Sequence, residues 1–300
     1  MTVQEAENVV SGSIHNEELV GGIDLYLTLA SGQTYRWRRE EGNLFDQSSD
    51  RPTPWYETVA EGAVIRVRQT DEGLEWEGSR DVDPFLRRLL RLDDDLPAIL
   101  ETGPNEAIYR EAIASHQGMR LVVDSLYVGL ISFICSTNMH VERIHQMVQS
   151  LMRNVGTQHT MGGRTYHAFP TPTQLADCSV ETLLDCGLGY RAPYVRATAQ
   201  TIAEGDLPLP EVEEATYEET RQRLTEYTGV GPKVADCALL FGAGLLEPVP
   251  LDRWIQRAIE RHFPECEQGS YEATSQAIRS RLGPYPGYAQ TYLFHHLRTA

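Results

Sequence analysis

Lysine is almost missing from this sequence. Of 26 basic residues only Lys233 is a lysine; the rest are arginine, and 43 acids bring the formal charge to −17. A surface so acidic and so poor in lysine fits high salt, where self-repulsion is screened, although drift produces the same composition. The acidity also rules out a basic footprint in bulk, so any nucleic-acid reading must rest on local features. Cysteine is scarce and odd in number: Cys135, Cys178, Cys186, Cys237 and Cys266, with no CxxC pair. That pattern implies reduced thiols in a cytoplasm rather than a disulfide framework. Four closely spaced cysteines near the C-terminus, the mark of an iron–sulfur cluster, are absent. No apolar run approaches the length that spans a bilayer. Met1-Thr2-Val3-Gln4-Glu5 lacks the basic and apolar pattern of a secretion signal. The expectation is a cytoplasmic chain with no membrane partner.

At 300 residues and 41% apolar content, there is enough chain for two packed domains or one large one. Residues 1–17 read as a polar tail. Ile23, Leu25, Leu27 and Leu29 alternate with more polar neighbours, the period of a half-buried strand. Ile65 and Val67 alternate with Arg66 and Arg68, Asp71-Glu72-Gly73 turns the chain, and Leu74 and Trp76 begin a return strand. Residues 18 to about 80 are therefore read as an antiparallel sheet, with helical additions to about 115. From 116 to 300 the pattern is helical: 118–153, 217–227, 232–242, 253–263, 270–282 and 288–297. The fold class is α+β, an N-terminal antiparallel sheet domain (18–115) followed by a mostly helical domain (116–300). Asp93-Asp94-Asp95 reads as a solvated turn, since no metal-ligand pattern follows it. His140 and His145, five apart, do not share a helix face well.

The most informative stretch is Leu224-Thr225-Glu226-Tyr227-Thr228-Gly229-Val230-Gly231-Pro232-Lys233-Val234-Ala235-Asp236. It predicts a helix, a tight glycine turn and a second helix, within about 217–242. Gly229 and Gly231 permit positive backbone dihedrals. Pro232 suits a first helical position, where no N–H is needed. The turn leaves backbone N–H groups at a helix N-terminus, an anion site that suits a DNA phosphate without basic side chains. An ordinary αα-hairpin explains the turn equally well. Lys233 tips the balance, because a primary amine can attack an electrophilic carbon once it has lost its proton, and arginine cannot take that role. Nineteen residues later, Glu247-Pro248-Val249-Pro250-Leu251-Asp252 reads as extended, with Arg253 opening a helix. Asp252 is well placed as an N-cap. A fixed carboxylate there can also stabilise positive charge developing on a sugar ring as its base departs.

Together these features resemble the helix-hairpin-helix DNA glycosylase superfamily, and nearly the whole chain resembles its 8-oxoguanine DNA glycosylase branch. The resemblance implies a bifunctional enzyme: Lys233 as attacking amine, Asp252 as its carboxylate partner, base excision, then β-elimination of the strand. Ser31-Gly32-Gln33-Thr34-Tyr35-Arg36-Trp37 is similar to the branch's N-terminal signature. That similarity implies that the Gly32 carbonyl accepts the N7–H that oxidised guanine has and guanine lacks. Gln290 and Phe294, four apart, correspond to the residues that bond the Watson–Crick edge and stack on the flipped base. Cys237 corresponds to the residue on its other face. Within Ser132-Phe133-Ile134-Cys135-Ser136-Thr137-Asn138, Asn138, together with Arg143, resembles the readers of the opposite cytosine. In Cys186-Gly187-Leu188-Gly189-Tyr190-Arg191-Ala192, Tyr190 resembles the wedge and Arg191 a further reader. Gly229 and Gly231 belong to the DNA-binding hairpin.

The resemblance implies no metal or redox cofactor for the chemistry. It does imply a possible monovalent cation on the Thr225, Tyr227 and Val230 carbonyls. The expected partner is double-stranded DNA containing oxidised guanine, met by a monomer at the nucleoid. Met139 and His140 depart from the branch's usual asparagines, and Trp254 from a histidine that often faces a phosphate. These departures bear on the lesion pocket and the phosphate contacts. A glycosylase for another damaged base and a non-catalytic hairpin DNA-binding protein are the alternatives.

Overall fold

Alternating apolar residues build a five-stranded antiparallel sheet in the N-terminal part of the chain. The computed structural model describes residues 3–6 (as backbone), 9–47, 51–205, 209 and 215–300. β1 (Val3–Ala6) and β2 (Val10–His15) come first, then α1 (Leu25–Ala30), β3 (Arg38–Arg39), β4 (Tyr56–Ala60), β5 (Ala63–Gln69) and β6 (Gly73–Gly78). The sheet order is β2-β6-β5-β4-β3, with Val67 opposite Trp76 and Ile65 opposite Thr58. Trp37, Ile65, Val67, Leu74 and Trp76 bury its inner face.

Two readings of this region are corrected. Residues 1–17, expected as a polar tail, contribute both β1 and β2; residues 1, 2, 7 and 8 lie outside the described residues. β2 pairs with β6 from Val10↔Gly78 to His15↔Gly73, and Ile14 is fully buried. One inward apolar residue is all a short edge strand offers, so Val-Ser-Gly-Ser-Ile-His reads as polar. The Ile23–Leu29 alternation forms a helix instead of a strand. Asp24 caps α1, accepting from Leu27 N at 2.8 Å, and Leu25 and Leu29 are four apart on one buried face. Over so short a run, residues two apart also satisfy i, i+4.

Helices α2 (Asp83–Leu89), α3 (Leu96–Glu101) and α4 (Ala107–Ser115) follow. Leu86 and Leu89 of α2 join the sheet core, whereas Leu96, Tyr109 and Ala112 of α3 and α4 join the helical core. The acidic triplet is engaged: Asp94 pairs with Arg91 and accepts from Tyr288 Oη at 2.5 Å, and Asp95 caps α3. The segment between α4 and the next helix is extended. Its fully buried Arg120 donates to the carbonyls of Val20, Gly22 and Arg91. Gln33 accepts from Val122 N and donates to the Arg120 carbonyl, both at 2.9 Å, so the Gly32 loop is fixed to this segment.

The remaining elements are α5 (Leu126–Cys135), α6 (Val141–Val155), β7 (Gln158–Met161), β8 (Arg164–His167), α7 (Pro172–Asp177), α8 (Val180–Asp185), α9 (Ala192–Glu204), α10 (Tyr217–Leu224), α11 (Pro232–Phe241), α12 (Arg253–His262), α13 (Tyr271–Arg281) and α14 (Pro286–Thr299). β1 runs parallel to β7 and β8 pairs with β7, a small second sheet. Helices α5 and α11 are the centre of the helical core, buried at every position from Val128 and from Val234 onward. Such all-round apolarity marks a helix enclosed by others. A Cβ at Gly129 would lie 3.1 Å from Gly242 Cα, so glycine permits the close approach of α5 to the end of α11. The two helices run antiparallel, which brings the C-terminus of α5 to the N-terminus of α11.

Candidate active site

The hairpin between α10 and α11 sets the position of the single lysine. Gly229 has φ +82°, and a Cβ there would lie 2.7 Å from Tyr194. Val230 N donates to the Tyr227 carbonyl at 3.1 Å, and Thr198 Oγ1 holds the Thr228 carbonyl at 2.9 Å. Gly231 then caps α11 with Pro232 in its first turn. Lys233 follows, half-buried. Its Nζ donates to Ser136 Oγ at 3.0 Å and sits 5.7 Å from the centre of the Phe133 ring. Ser136 ends α5, and its hydroxyl donates to the Phe133 carbonyl at 2.7 Å. The serine is therefore oriented to accept from the amine.

Asp252 caps α12. Its Oδ1 takes both cap bonds, from Trp254 N at 2.9 Å and Ile255 N at 2.8 Å. Among the described residues no hydrogen bond ends on Oδ2. One oxygen thus serves the helix and the other is available for chemistry. Burial pushes this carboxyl above the ordinary range; the Ile255 N–H, the Lys233 charge and the Trp254 N–H pull the other way.

A narrow cavity of about 70 Å³ joins these groups. Gly32, Cys237, Gln290, Phe294, Lys233 and Asp252 all line it, along with Tyr35, Phe133 and Phe241. Gly32 has φ +97°, and a Cβ there would lie 3.1 Å from Val141 Cγ2 and 3.7 Å from Phe294 Cε1. Burial pushes the Cys237 thiol up to about 12, so this wall is a neutral thiol. Gln290 is buried, with Nε2 on Thr291 Oγ1 at 2.7 Å. The cavity adjoins a cleft of about 1000 Å³ lined by Asn138, Met139, His140, Gly229, Gly231, Trp254 and, again, Lys233 and Asp252.

The candidate cytosine readers are placed less uniformly. Asn138 is exposed at φ +53° in the break between α5 and α6. The Arg143 guanidinium lies against Gly187, where a Cβ would be 2.8 Å from Nη2. Tyr190 is 54% exposed, while its neighbour Arg191 is 3% exposed. The Arg191 guanidinium is 4.4 Å from the Tyr190 ring centre, and its Nη2 donates to the Thr137 carbonyl. Arg191 thereby holds the loop that carries Asn138. None of Arg143, Tyr190 and Arg191 lines either cavity. The candidate cation donors lie in the hairpin; the Tyr227 carbonyl accepts the Val230 N–H, and Thr225 ends α10.

Arg36, Arg38, Arg66 and Arg68 of the sheet domain are each paired with a carboxylate. Among the described residues, Arg143, Arg253 and Arg257 have no acid within ion-pair distance. Arg257 and Arg253 sit 5.1 and 5.8 Å from the Trp254 ring centre. Sequence reasoning passed over Ser136 as a partner of Lys233, and Asp236 and Tyr271 altogether. A serine inside a run read as duplex-inserting, and an aspartate inside an apolar helix, carry no signal of what they face.

A hairpin that presents one lysine and a helix-capping aspartate to the same narrow slot, walled by phenylalanine and cysteine, is the layout of a DNA base-excision protein. The chain belongs to the HhH-GPD superfamily of base excision DNA repair proteins, matched over residues 131–284. Residues 16–126 match the N-terminal domain of 8-oxoguanine DNA glycosylase. The chain is 31% identical to a probable N-glycosylase/DNA lyase of Methanothermobacter thermautotrophicus, covering 93% of this chain and 95% of the relative. It is 32% identical to the N-glycosylase/DNA lyase of Saccharomyces cerevisiae, covering 78% of this chain and 67% of the relative. The structure of MBOgg1 in complex with a low-affinity DNA ligand superimposes with a TM-score of 0.80 at 28% identity, over 97% of this chain and 95% of that one. The helices described include none long and apolar enough to cross a membrane.

Proposed function

We propose that this protein is a bifunctional DNA glycosylase and abasic-site lyase that excises 8-oxoguanine paired with cytosine. The observation that carries this reading is that Lys233, Asp252 and all four candidate base contacts line one cavity. The names of the relatives support glycosylase and lyase activity as a class.

The damaged nucleotide is extruded from double-stranded DNA into the slot, stacking between Phe294 and Cys237, with Gln290 on its Watson–Crick edge. The Gly32 carbonyl accepts N7–H from 8-oxoguanine; unmodified guanine presents an acceptor there and is rejected. As the C1′–N9 bond lengthens, Asp252 stabilises the positive charge on the sugar. The neutral Lys233 amine forms the Nζ–C1′ bond with its lone pair. The base leaves with the electrons of the glycosidic bond; Nζ gives a proton to Asp252 Oδ2, which passes it to the departing base. The Nζ lone pair then forms the C=N bond as the C1′–O4′ bond breaks, O4′ takes a proton from water, and the resulting iminium ion acidifies C2′. Loss of a C2′ proton forms the C2′–C3′ double bond and expels the 3′ phosphate. Phosphates flanking the lesion are met by the N–H groups at Gly231 and by Arg253 and Arg257. Asn138 and Arg143 read the opposite cytosine, Tyr190 fills the vacated space, and Arg191 joins once it leaves Thr137.

The test is borohydride trapping on matched duplexes carrying 8-oxoguanine, uracil or mispaired adenine. Preferential trapping on 8-oxoguanine supports the reading. Preference for another base assigns a different substrate, and the absence of any adduct with DNA still bound assigns a binding module. Repeating the series across potassium concentrations tests whether the acidic surface is a salt adaptation.

A further inference from the structure

Asp236 lies one helical turn beyond Lys233 and is completely buried. Its two carboxylate oxygens are both taken. Tyr217 Oη donates to Oδ1 at 2.6 Å and Tyr271 Oη donates to Oδ2 at 2.7 Å. Arg221 stands 4.0 Å from Oδ1. The Tyr271 hydroxyl has a second partner: it accepts from Leu251 N at 3.2 Å. Leu251 immediately precedes Asp252, and Tyr271 itself lines the wide cleft beside Leu251, Asp252 and Lys233. A continuous chain of hydrogen bonds therefore runs from the lysine helix, through a carboxylate and a phenol, to the backbone that carries the second reacting group.

We infer that Tyr271, anchored by Asp236, is a positioning residue that fixes Asp252 relative to Lys233 for the base-excision step. The inference rests on the reaction proposed above. The geometry suits that task. A phenol that donates to a carboxylate has its lone pairs left for an N–H, so both bonds form at once. Burial pushes the Tyr271 hydroxyl well up, so it stays protonated and keeps donating. A buried carboxylate is a costly anchor unless its hydrogen bonds are satisfied, and here each oxygen has a hydroxyl. Without the Tyr271 hydroxyl, the Leu251 N–H and Asp236 Oδ2 each lose a partner, and the strand preceding the Asp252 cap is free to shift. Small displacements of a reacting group lower a rate by one or two orders of magnitude.

The two chemical steps separate this role from a merely structural one. Base removal needs Asp252 beside the sugar. Imine formation at a preformed abasic site, where the sugar already presents an aldehyde, breaks no base–sugar bond and develops no sugar cation for Asp252 to stabilise. The experiment compares the full-length wild type with Tyr271→Phe, using Tyr109→Phe as a matched loss of a buried hydroxyl bond elsewhere. It measures duplex affinity, single-turnover release of 8-oxoguanine, and borohydride trapping on a duplex with a preformed abasic site. The expected result for Tyr271→Phe is base release slowed by about tenfold or more. Affinity and abasic-site trapping should stay within about twofold, with no comparable effect in Tyr109→Phe. Base release within twofold of wild type overturns the inference. So does an equal fall in base release and abasic-site trapping, which marks a general loss of structure. If Tyr271→Phe does not fold, Asp236→Asn is read by the same criteria, since it keeps the side-chain size and weakens the anchor. Wild type that traps no substrate at all removes the parent reaction instead, an outcome distinct from a variant that fails to differ.

Discussion

Lys233 and Asp252 enter one cavity from the N-termini of two different helices, α11 and α12. The lysine follows a glycine turn and is steadied by Ser136; the aspartate caps its helix through Oδ1 alone. Oδ1 therefore serves the helix, and the chemical role proposed for Asp252 falls to Oδ2. That division leads to the first prediction.

Asp252→Asn keeps a good N-cap, because asparagine and aspartate cap about equally well. It removes the charge that the proposed reaction sets against the sugar. Base release in single turnover should fall by roughly 10²- to 10³-fold, the scale of losing one preorganised electrostatic partner. Thermal midpoint should change by only a few degrees, a shift worth about 1 kcal/mol or less in a chain of this size. A large loss of stability with little loss of rate would place the residue in the fold rather than the reaction.

Burial holds the Asp252 carboxyl above its ordinary value of 3.8. The reactive carboxylate then forms only at higher pH than for an exposed aspartate. The rate of base release should rise with pH through that raised value, and the acid limb should vanish from the residual activity of Asp252→Asn. Rate against pH under single-turnover conditions checks this.

Asp236 carries a pH signature in stability. Burial raises its pKa from 3.8 to about 6. Between those values the folded protein holds a proton that the unfolded chain has lost, so stability from this group is complete below pH 3.8 and declines as pH rises to about 6. The shift corresponds to about 3 kcal/mol. Asp236→Asn should flatten the dependence of denaturant midpoint on pH across that window. An unchanged slope contradicts the assignment.

Gly32→Ala should fail in two ways. At φ +97° an L side chain is strained, and the added methyl would press on Val141 at 3.1 Å. A loss of about 1–2 kcal/mol of stability is expected, together with weaker discrimination of 8-oxoguanine from guanine. Denaturant titration and competition between the two bases measure both.

The sequence singles out six residues that line one cavity, for identifiable reasons. Glycines in a tight turn, proline after them and a lone lysine are constrained by backbone geometry and by chemistry that arginine cannot supply. Gln290 and Phe294 share a face because they are one helical turn apart. What could not be read depends on contacts distant in sequence. β2 looks polar because only Ile14 of its residues is buried, and α1 looks like a strand because Ile23, Leu25, Leu27 and Leu29 fit both periods. Arg191 carries the same letter whether it points at DNA or, as here, is buried on Thr137. Tyr271 and Asp236 are 35 residues apart and reveal themselves only through a shared hydrogen bond.

The most direct test is borohydride trapping of wild type and Lys233→Gln on an 8-oxoguanine·cytosine duplex, with binding measured alongside. Wild type should yield a covalent protein–DNA adduct. Lys233→Gln should yield none while binding the duplex with affinity within about tenfold of wild type. An adduct that persists in Lys233→Gln would contradict the account, because the sequence has no second lysine to form it.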